Sequence, residues 1–268
     1  TLLKTKILIV DDSAYTRQMI KKILEQDPGF EVVGIATDGM DAMKKTIKLA
    51  PDVITLDFEM PQMDGFSFLR WLMNERPIPV IMVSSYNDSK TVFRALELGA
   101  ADFIAKPTKR ASVELQNIEK DLLSKARGLK NIRMDILSRN LALLGAGRGQ
   151  EFSATAASRD IGCVAIGSST GGPAALQIIL TRLPADFRAP IVVSQHMPRG
   201  FTGPLSERLN KLSSLRIREA KDFDEVEPGT VLICPGGCHM GFRRQGGKVL
   251  ALLREGLLSD KYVPYVDY

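Results

Sequence analysis

Five short apolar stretches recur at regular intervals in the N-terminal part of the sequence. They cover residues 6–10, 31–36, 52–56, 79–84 and 102–106. The segments between them have helical periodicity, as at 15–26, where Ile20 and Ile23 share an apolar face with their neighbours. Apolar strands that alternate with amphipathic helices are typical of a parallel sheet covered on both faces. The pattern therefore predicts an α/β fold with a doubly wound, five-stranded parallel sheet.

The pattern changes after a further amphipathic helix predicted at 111–126. Residues 145–159 are small, polar and rich in glycine, which is typical of a flexible tether. Apolar strands separated by a helical segment return at 163–168 and 189–195 and predict a second α/β domain of Rossmann-like type. We expect a first domain at 1–126, a linker at 127–160 and a second domain at 161–268.

Polar residues stand where the predicted strands of the first domain end. They are Asp11, Asp12, Asp57, Ser84 and Lys106. The carboxyl ends of parallel strands meet at one edge of a sheet, where ligands bind in this fold class. Three neighbouring carboxylates repel one another, and an acidic, oxygen-rich site of this kind suits Mg²⁺. Helix N-capping is an alternative for Asp12 or Ser13, but it does not explain the ordered set of positions.

The sequence GSSTGG at 167–172 lies between a predicted strand and a predicted helix. Ser169 is the central residue of a G-x-S-x-G spacing, which can raise a serine as a nucleophile. An ordinary strand-to-helix turn remains open on the local pattern, whereas the known phosphate-binding motifs do not match. His196 follows the next strand, so neighbouring strand ends could bring it to Ser169. A capping or packing role for His196 is equally compatible with the pattern.

Composition and charge exclude several classes of protein. No apolar run approaches the roughly 20 residues needed to cross a bilayer, so we expect no membrane insertion. The three cysteines form no disulfide framework, and we expect a cytoplasmic protein. Between 106 and 148 the sequence has ten Lys/Arg and four Asp/Glu. This segment lacks the motifs of nucleic-acid-binding domains, so we expect no nucleic-acid partner. We expect a solvated basic face there, with a docking surface for an acidic partner as the alternative.

Four motifs of the first domain resemble the receiver domain of two-component response regulators. They are VDDS at 10–13, LDFEMPQMDG at 56–65, VSS at 83–85 and DFIAKP at 102–107. The resemblance implies that Asp57 accepts a phosphoryl group from a phosphohistidine on a partner kinase. It also implies that Mg²⁺ is held by Asp11, Asp12, Asp57 and the backbone carbonyl of Glu59.

The same resemblance assigns roles to three further residues. Lys106 would pair with the phosphoryl oxygens, and the hydroxyl of Ser84 would reach for them. Phe103 would be the aromatic switch residue, although a plain buried position in a strand fits its spacing equally well.

Three motifs behind the receiver resemble the CheB family of chemotaxis protein-glutamate methylesterases. They are AIGSSTGGP at 165–173, VSQHMPRGFT at 193–202 and PGTVLICPGG at 228–237. The resemblance implies hydrolysis of glutamate methyl esters on chemoreceptors, with deamidation of receptor glutamines. Ser169 would be the nucleophile, His196 the general base and the backbone amide of Thr170 an oxyanion donor, with no cofactor for the ester chemistry.

The resemblance also implies partners and regulation. A chemotaxis histidine kinase would be the phosphodonor, and methylated chemoreceptors would be the substrates. The receiver would cover the hydrolase site until Asp57 is phosphorylated.

The third member of the family's catalytic triad is an acid in a glycine-rich segment resembling T-G-M-G-x-D-G. We expect the chain to be truncated before that acid, and we do not expect Asp267 to replace it. Loss of the acid costs other serine hydrolases on the order of 10⁴-fold in kcat, so a weak or inactive esterase is expected. The alternative is a non-catalytic phospho-receiver that competes for the chemotaxis histidine kinase. A DNA-binding output is a further rival and predicts a winged or three-helix second domain.

Overall fold

The computed structural model describes residues 4–84, 89–106, 113–129, 161–257, 260 and 263–264. The chain divides into two compact units, Thr1–Gly145 and Ala146–Tyr268. Most of the linker expected at 127–160 lies outside the described residues, so the domain limits stay predictions. Within the described part of the chain, no helix is long and apolar enough to span a bilayer.

Strands and helices alternate through the first unit. The strands are β1 (Thr5–Val10), β2 (Phe30–Ala36), β3 (Val53–Asp57), β4 (Val80–Ser84) and β5 (Asp102–Ala105). The helices are α1 (Ala14–Leu24), α2 (Gly39–Leu49), α3 (Gly65–Glu75), α4 (Ser89–Glu97) and α5 (Val113–Leu129). The strands form one parallel sheet in the order β2-β1-β3-β4-β5, which confirms the predicted fold class.

The sheet of the first unit is buried on both faces. Every residue of β3 and β4 is buried, as expected for central strands between two layers of helices. On one face, Ile7 and Ile9 of β1 belong to the same core cluster as Ile20 of α1 and Leu122 of α5. At the centre of the sheet this packing leaves the strand ends as the place where a ligand can bind.

Polar side chains set the starts of three helices in the first unit. The side chains of Ser13, Asp38 and Asp64 accept hydrogen bonds from backbone amides in the first turns of α1, α2 and α3. Such a cap contributes about 1 kcal/mol. Because Ser13 caps α1, the carboxylate of Asp12 is not needed for that role.

The second unit combines a parallel sheet with a hairpin. Its elements are β6 (Val164–Ser168), α6 (Gly172–Leu180), β7 (Ile191–Gln195), α7 (Thr202–Leu212), β8 (Arg216–Glu219), β9 (Thr230–Ile233), β10 (Cys238–Gln245) and β11 (Lys248–Glu255). Four strands form a parallel sheet in the order β6-β7-β9-β8, and β10 pairs with β11. Ala251 of the hairpin packs against Val192 and Leu232 of the sheet. This architecture differs from the winged or three-helix domain of a DNA-binding output.

Strands β6 and β7 are parallel neighbours. Gly167 is opposite Ser194, and Ser168 is opposite Gln195. The residues that follow these two strands therefore leave the sheet side by side. The sequence pattern alone left this adjacency open.

Candidate functional site

Three carboxylates meet at the ends of β1 and β3. One oxygen each from Asp11, Asp12 and Asp57 lies within 4.8 Å of the others, with Asp11 and Asp57 buried and Asp12 exposed. The cluster forms because β1 and β3 are adjacent in register, with Val10 opposite Leu56. The sheet therefore brings together the acids that the strand ends predicted.

Lys106 supplies a positive charge at the same edge. Its Nζ lies 2.6 Å from Oδ2 of Asp57 and 3.9 Å from Oδ2 of Asp11. The backbone amide of Lys106 donates to the carbonyl oxygen of Ser84 at 2.7 Å, which ties the end of β5 to the end of β4. A lysine in this place can neutralise charge that develops on Asp57.

The charges in this pocket change one another's pKa values. Burial raises the pKa of Asp11 to about 6, and the neighbouring Asp57 carboxylate acts in the same direction. Burial also raises the pKa of Asp57, although Lys106 partly opposes it. Burial lowers the pKa of Lys106, but the hydrogen bond to Asp57 and the nearby acids outweigh it and raise the pKa. Both buried acids therefore favour a bound proton or a cation.

The donor set fits Mg²⁺. It offers carboxylate oxygens, and Oδ2 of Asp11 is buried with no hydrogen-bond partner in the described structure. The second carboxylate oxygen of Asp57, Oδ1, accepts hydrogen bonds from the backbone amides of Phe58 at 2.8 Å and Glu59 at 3.4 Å. The backbone carbonyl of Glu59 as a metal ligand stays a prediction.

Gly65, the first residue of α3, lies close to the backbone at the end of β3. A Cβ atom on residue 65 would lie 2.3 Å from the carbonyl oxygen of Asp57 and 2.8 Å from Cα of Phe58. Any larger residue would push α3 away from the end of β3. Sequence reasoning did not single out Gly65, although the Asp64-Gly65 pair at the end of the motif was a signal.

Ser84 and Phe103 lie on the neighbouring strands β4 and β5. Both are buried, with Phe103 only 1% exposed. The ammonium of Lys125 lies 5.0 Å from the ring centre of Phe103 and donates to the Phe103 carbonyl at 2.5 Å. This position fits a switch residue and a plain core residue equally, so the roles of Ser84 and Phe103 stay predictions.

In the second unit, Ser169 and His196 come together after β6 and β7. The Oγ of Ser169 lies 3.4 Å from Nδ1 of His196, and the His196 amide donates to the carbonyl oxygen of Ser168 at 2.9 Å. A histidine that accepts the serine proton on Nδ1 carries its own proton on Nε2. The distance exceeds the reach of about 2.6–3.2 Å for proton transfer, so the two side chains must approach each other for the transfer to occur.

The turn around Ser169 presents its hydroxyl to solvent. Gly171 has a φ of 74°, in the left-handed region that favours glycine. The amide of Gly172 donates to the carbonyl oxygen of Ser169 at 2.8 Å, and α6 begins there. The positive end of a helix dipole near an exposed serine favours negative charge developing on a bound carbonyl. The Thr170 amide as an oxyanion donor stays a prediction.

Gln195 also belongs to this site and was missed by sequence reasoning. It is the last residue of β7 and is 1% exposed. Its side-chain amide forms hydrogen bonds with Ser168 and Ser169 at the end of β6 and with His196 after β7. The available signal was a polar residue at the end of an apolar strand, directly before the candidate base.

The second histidine lies elsewhere in the unit. His239 is buried, and its Nε2 lies 2.8 Å from Oδ2 of Asp260. The hydrogen bond from His239 lowers the pKa of Asp260. Asp267, which the sequence did not favour as a triad acid, lies outside the described residues.

Known proteins resemble this chain along nearly its whole length. The family profile of the response regulator receiver domain matches residues 7–116, and that of CheB methylesterase matches residues 164–268. Protein-glutamate methylesterase/protein-glutamine glutaminase 3 of Geobacter sulfurreducens is 49% identical and covers 98% of this chain and 76% of that protein. The corresponding protein of Halalkalibacterium halodurans is 41% identical and covers 98% and 75%.

The chain also resembles a solved structure. The crystal structure of the Thermotoga maritima CheB methylesterase catalytic domain is 49% identical to this chain, with a TM-score of 0.38. The match covers 40% of this chain and 56% of that one.

Proposed function

Because the chain belongs to the CheB family of protein-glutamate methylesterases/protein-glutamine glutaminases, we propose that Ser169 is its nucleophile and His196 its general base. One observation carries the assignment. The Oγ of Ser169 faces Nδ1 of His196 at 3.4 Å, at the ends of two adjacent parallel strands. The proposed substrate is a glutamate methyl ester on a chemoreceptor, and a receptor glutamine is the second substrate.

The proposed reaction transfers an acyl group to water in two stages. The Oγ of Ser169 bonds to the ester carbonyl carbon as its proton passes to His196 Nδ1, and methanol leaves with that proton. Water then attacks the acyl carbon as one of its protons passes to His196, the bond from carbon to Oγ breaks, and His196 returns the proton to Ser169, which leaves the receptor side chain as a glutamate carboxylate. The Thr170 amide is the proposed donor to the oxyanion. With a glutamine substrate the leaving group is ammonia.

The proposed regulator is the pocket of the first unit. A carboxylate oxygen of Asp57 bonds to the phosphorus of a phosphohistidine on the chemotaxis histidine kinase as the P–N bond breaks and the kinase histidine leaves, and Lys106 neutralises charge on the transferred group. Asp11, Asp12, Asp57 and the Glu59 carbonyl would hold Mg²⁺, which supplies further charge neutralisation. Ser84 would contact the phosphoryl oxygens, and Phe103 would respond to them. Phosphorylation of Asp57 is proposed to raise the rate of ester hydrolysis at Ser169. The protein is proposed to be cytoplasmic, as its cysteine usage predicts.

A second candidate function needs only the first unit. The acids and the lysine of the pocket are already in place around Asp57, with Nζ of Lys106 at 2.6 Å. A chain that accepts phosphate there without hydrolysing esters would act as a receiver that competes for the kinase.

The test measures methanol release from membranes that carry methylated chemoreceptors, with and without Mg²⁺ and a small phosphodonor. Wild type and Ser214→Ala, which changes an exposed serine of the same unit, should release methanol faster with the phosphodonor. Ser169→Ala should lose the release that the phosphodonor stimulates and keep phosphate uptake on Asp57. Equal release by Ser169→Ala would show that the nucleophile is another residue. No release by wild type, with normal phosphate uptake, would favour the receiver-only function.

A further inference from the structure

One buried side chain connects both loops of the hydrolase site. The Nε2 of Gln195 donates to the carbonyl oxygen of Ser169 at 3.1 Å and to that of His196 at 3.0 Å. Its Oε1 accepts a hydrogen bond from Oγ of Ser168 at 2.6 Å. Both N–H groups and the oxygen of this amide therefore have partners, and two of the partners are the backbones of the nucleophile and the base.

Burial and the close approach of Gly172 restrict the side-chain amide of Gln195 to its observed position. The residue is 1% exposed, so water cannot replace a lost hydrogen bond. A Cβ atom on residue 172 would lie 1.9 Å from Oε1 of Gln195 and 2.8 Å from its Cδ. Glycine at 172 is therefore required while the Gln195 side chain occupies this place.

We propose that Gln195 is the positioning residue of the hydrolase site, and that Ser168 and Gly172 complete the same clamp. The inference rests on the proposed roles of Ser169 and His196. The amide holds the carbonyl groups of those two residues against one atom, Nε2, and so sets the separation of the two backbones. That separation determines how closely Oγ of Ser169 approaches Nδ1 of His196.

The clamp affects catalysis by setting the distance between Oγ of Ser169 and Nδ1 of His196. Gln195 is too deeply buried to serve as a surface contact for a receptor. Its loss should therefore lower kcat and leave KM nearly unchanged. A misplacement of about 1 Å between reacting groups can cost on the order of 10²-fold in rate.

The first test replaces the amide by a side chain of similar size without hydrogen-bonding groups. Gln195→Leu should lower kcat for methanol release by about 10²-fold, with KM within about twofold of wild type. The matched control is Gln245→Leu, which changes an exposed glutamine in the hairpin and should leave both constants unchanged. Ser168→Ala removes only the bond to Oε1 and should have a smaller effect than Gln195→Leu. A kcat for Gln195→Leu equal to that of the control overturns the proposal.

The second test uses the space between Gly172 and Gln195. Gly172→Ala should lower kcat in the wild-type background, because the new methyl group displaces the amide. In a Gln195→Ala background the space is free, so Gly172→Ala should cause little further loss. The control is Gly162→Ala, where an added Cβ would meet no atom within 4 Å. Fully additive losses at 172 and 195 overturn the proposal.

The third test does not depend on esterase activity. The chain has only two histidines, so the ring signals of His196 and His239 can be followed together by NMR. Gln195→Leu should shift the His196 ring signals and leave those of His239 in place, while the unshifted His239 signals show that the unit is folded. If Gln195→Leu does not fold, Ser168→Ala and the 172/195 pair are measured in the same way.

The outcomes separate this proposal from the proposed function. If wild type releases no methanol, the proposed function fails and the clamp is judged by the NMR test alone. Unchanged His196 signals in a folded Gln195→Leu variant overturn the clamp whether or not wild type is active.

Discussion

The two sites stand at the same place in their sheets but are held together differently. The pocket around Asp57 is built from charged groups, two of them buried carboxylates, with a lysine 2.6 Å from the carboxylate of Asp57. The Ser169–His196 pair is held by a neutral amide, and its serine is exposed. The first site therefore depends on electrostatics and should respond to metal ions and pH. The second depends on backbone separation and should respond to changes in volume.

The difference explains why one site is easier to read from a sequence. Asp11, Asp57 and Lys106 are unusual residues for strand ends packed in a core, so each one is a signal by itself. Gln195 is an ordinary polar residue, and its importance depends on which loops meet it. A charged site is thus visible one residue at a time, whereas a site set by hydrogen bonds becomes visible only after folding.

The largest effect should come from removing the carboxylate of Asp57, the proposed phosphoryl acceptor. Asp57→Asn should abolish stable phosphate uptake and the stimulation of methanol release by a phosphodonor, because an amide cannot attack phosphorus as a carboxylate does. Basal release should not change. The control is Asp52→Asn, an exposed aspartate of the same unit. Labelling with a small phosphodonor measures uptake, and normal labelling of Asp57→Asn would place the acceptor elsewhere.

A buried ion pair behind Phe103 offers a second test of the electrostatic side. Lys125 is 2% exposed, and its Nζ lies 3.0 Å from Asp102 and 3.4 Å from Asp121. Burial raises the pKa of Asp102, so its charged form depends on this lysine. Lys125→Met should therefore lower the free energy of unfolding by about 3–5 kcal/mol, because it leaves buried acid unpaired.

Urea unfolding of the first unit measures this loss. The double variant Lys125→Met/Asp102→Leu should recover most of the stability, since it removes both members of the closest pair. A single variant as stable as wild type would mean that the pair adds nothing to the first unit. Lys125 also corrects the sequence-based expectation of a solvated basic face, which is wrong at this position because the ammonium points into the core.

A glycine-to-alanine substitution can be made in each site, at Gly65 in the first and at Gly172 in the second, and the two results can be compared. At residue 65 an added Cβ would overlap backbone atoms of Asp57 and Phe58, which no side-chain truncation can relieve. Gly65→Ala should therefore cost about 1–3 kcal/mol in unfolding free energy, measured by urea titration. Gly172→Ala instead meets the end of the Gln195 side chain and should be relieved by Gln195→Ala. A Gly65→Ala variant with wild-type stability would show that the end of β3 yields easily.

Much of the fold follows from local patterns in the sequence. The apolar stretches predicted all the strands of the first sheet within one or two residues, because central strands are apolar throughout. The convergence of Asp11, Asp12, Asp57 and Lys106 also followed, since parallel strands end at one edge. The alternation of strands and helices predicted the parallel sheet of the second unit as well.

The remainder depends on contacts between distant residues. The neighbourhood of β6 and β7 depends on strand order, which no local pattern records. The need for glycine at 65 and 172 comes from close approaches that exist only in the folded chain. The burial of Lys125 likewise requires Asp102 from another element. These features depend on tertiary packing, which the hydrophobic periodicity of the sequence does not predict.

The smallest predicted effect concerns the buried acid of the metal pocket. Burial raises the pKa of Asp11 from its ordinary 3.8 to about 6, so between these values the native state keeps a proton that the unfolded chain releases. Stability should therefore fall as pH rises through this window. Asp11→Asn should remove this slope and be more stable than wild type at pH 7 without Mg²⁺. Thermal unfolding at several pH values, with and without Mg²⁺, measures both effects.

Added Mg²⁺ should stabilise wild type more than Asp11→Asn, because the ion replaces the missing proton on the Asp11 carboxylate. Equal stabilisation of the two proteins would mean that Asp11 does not bind the ion.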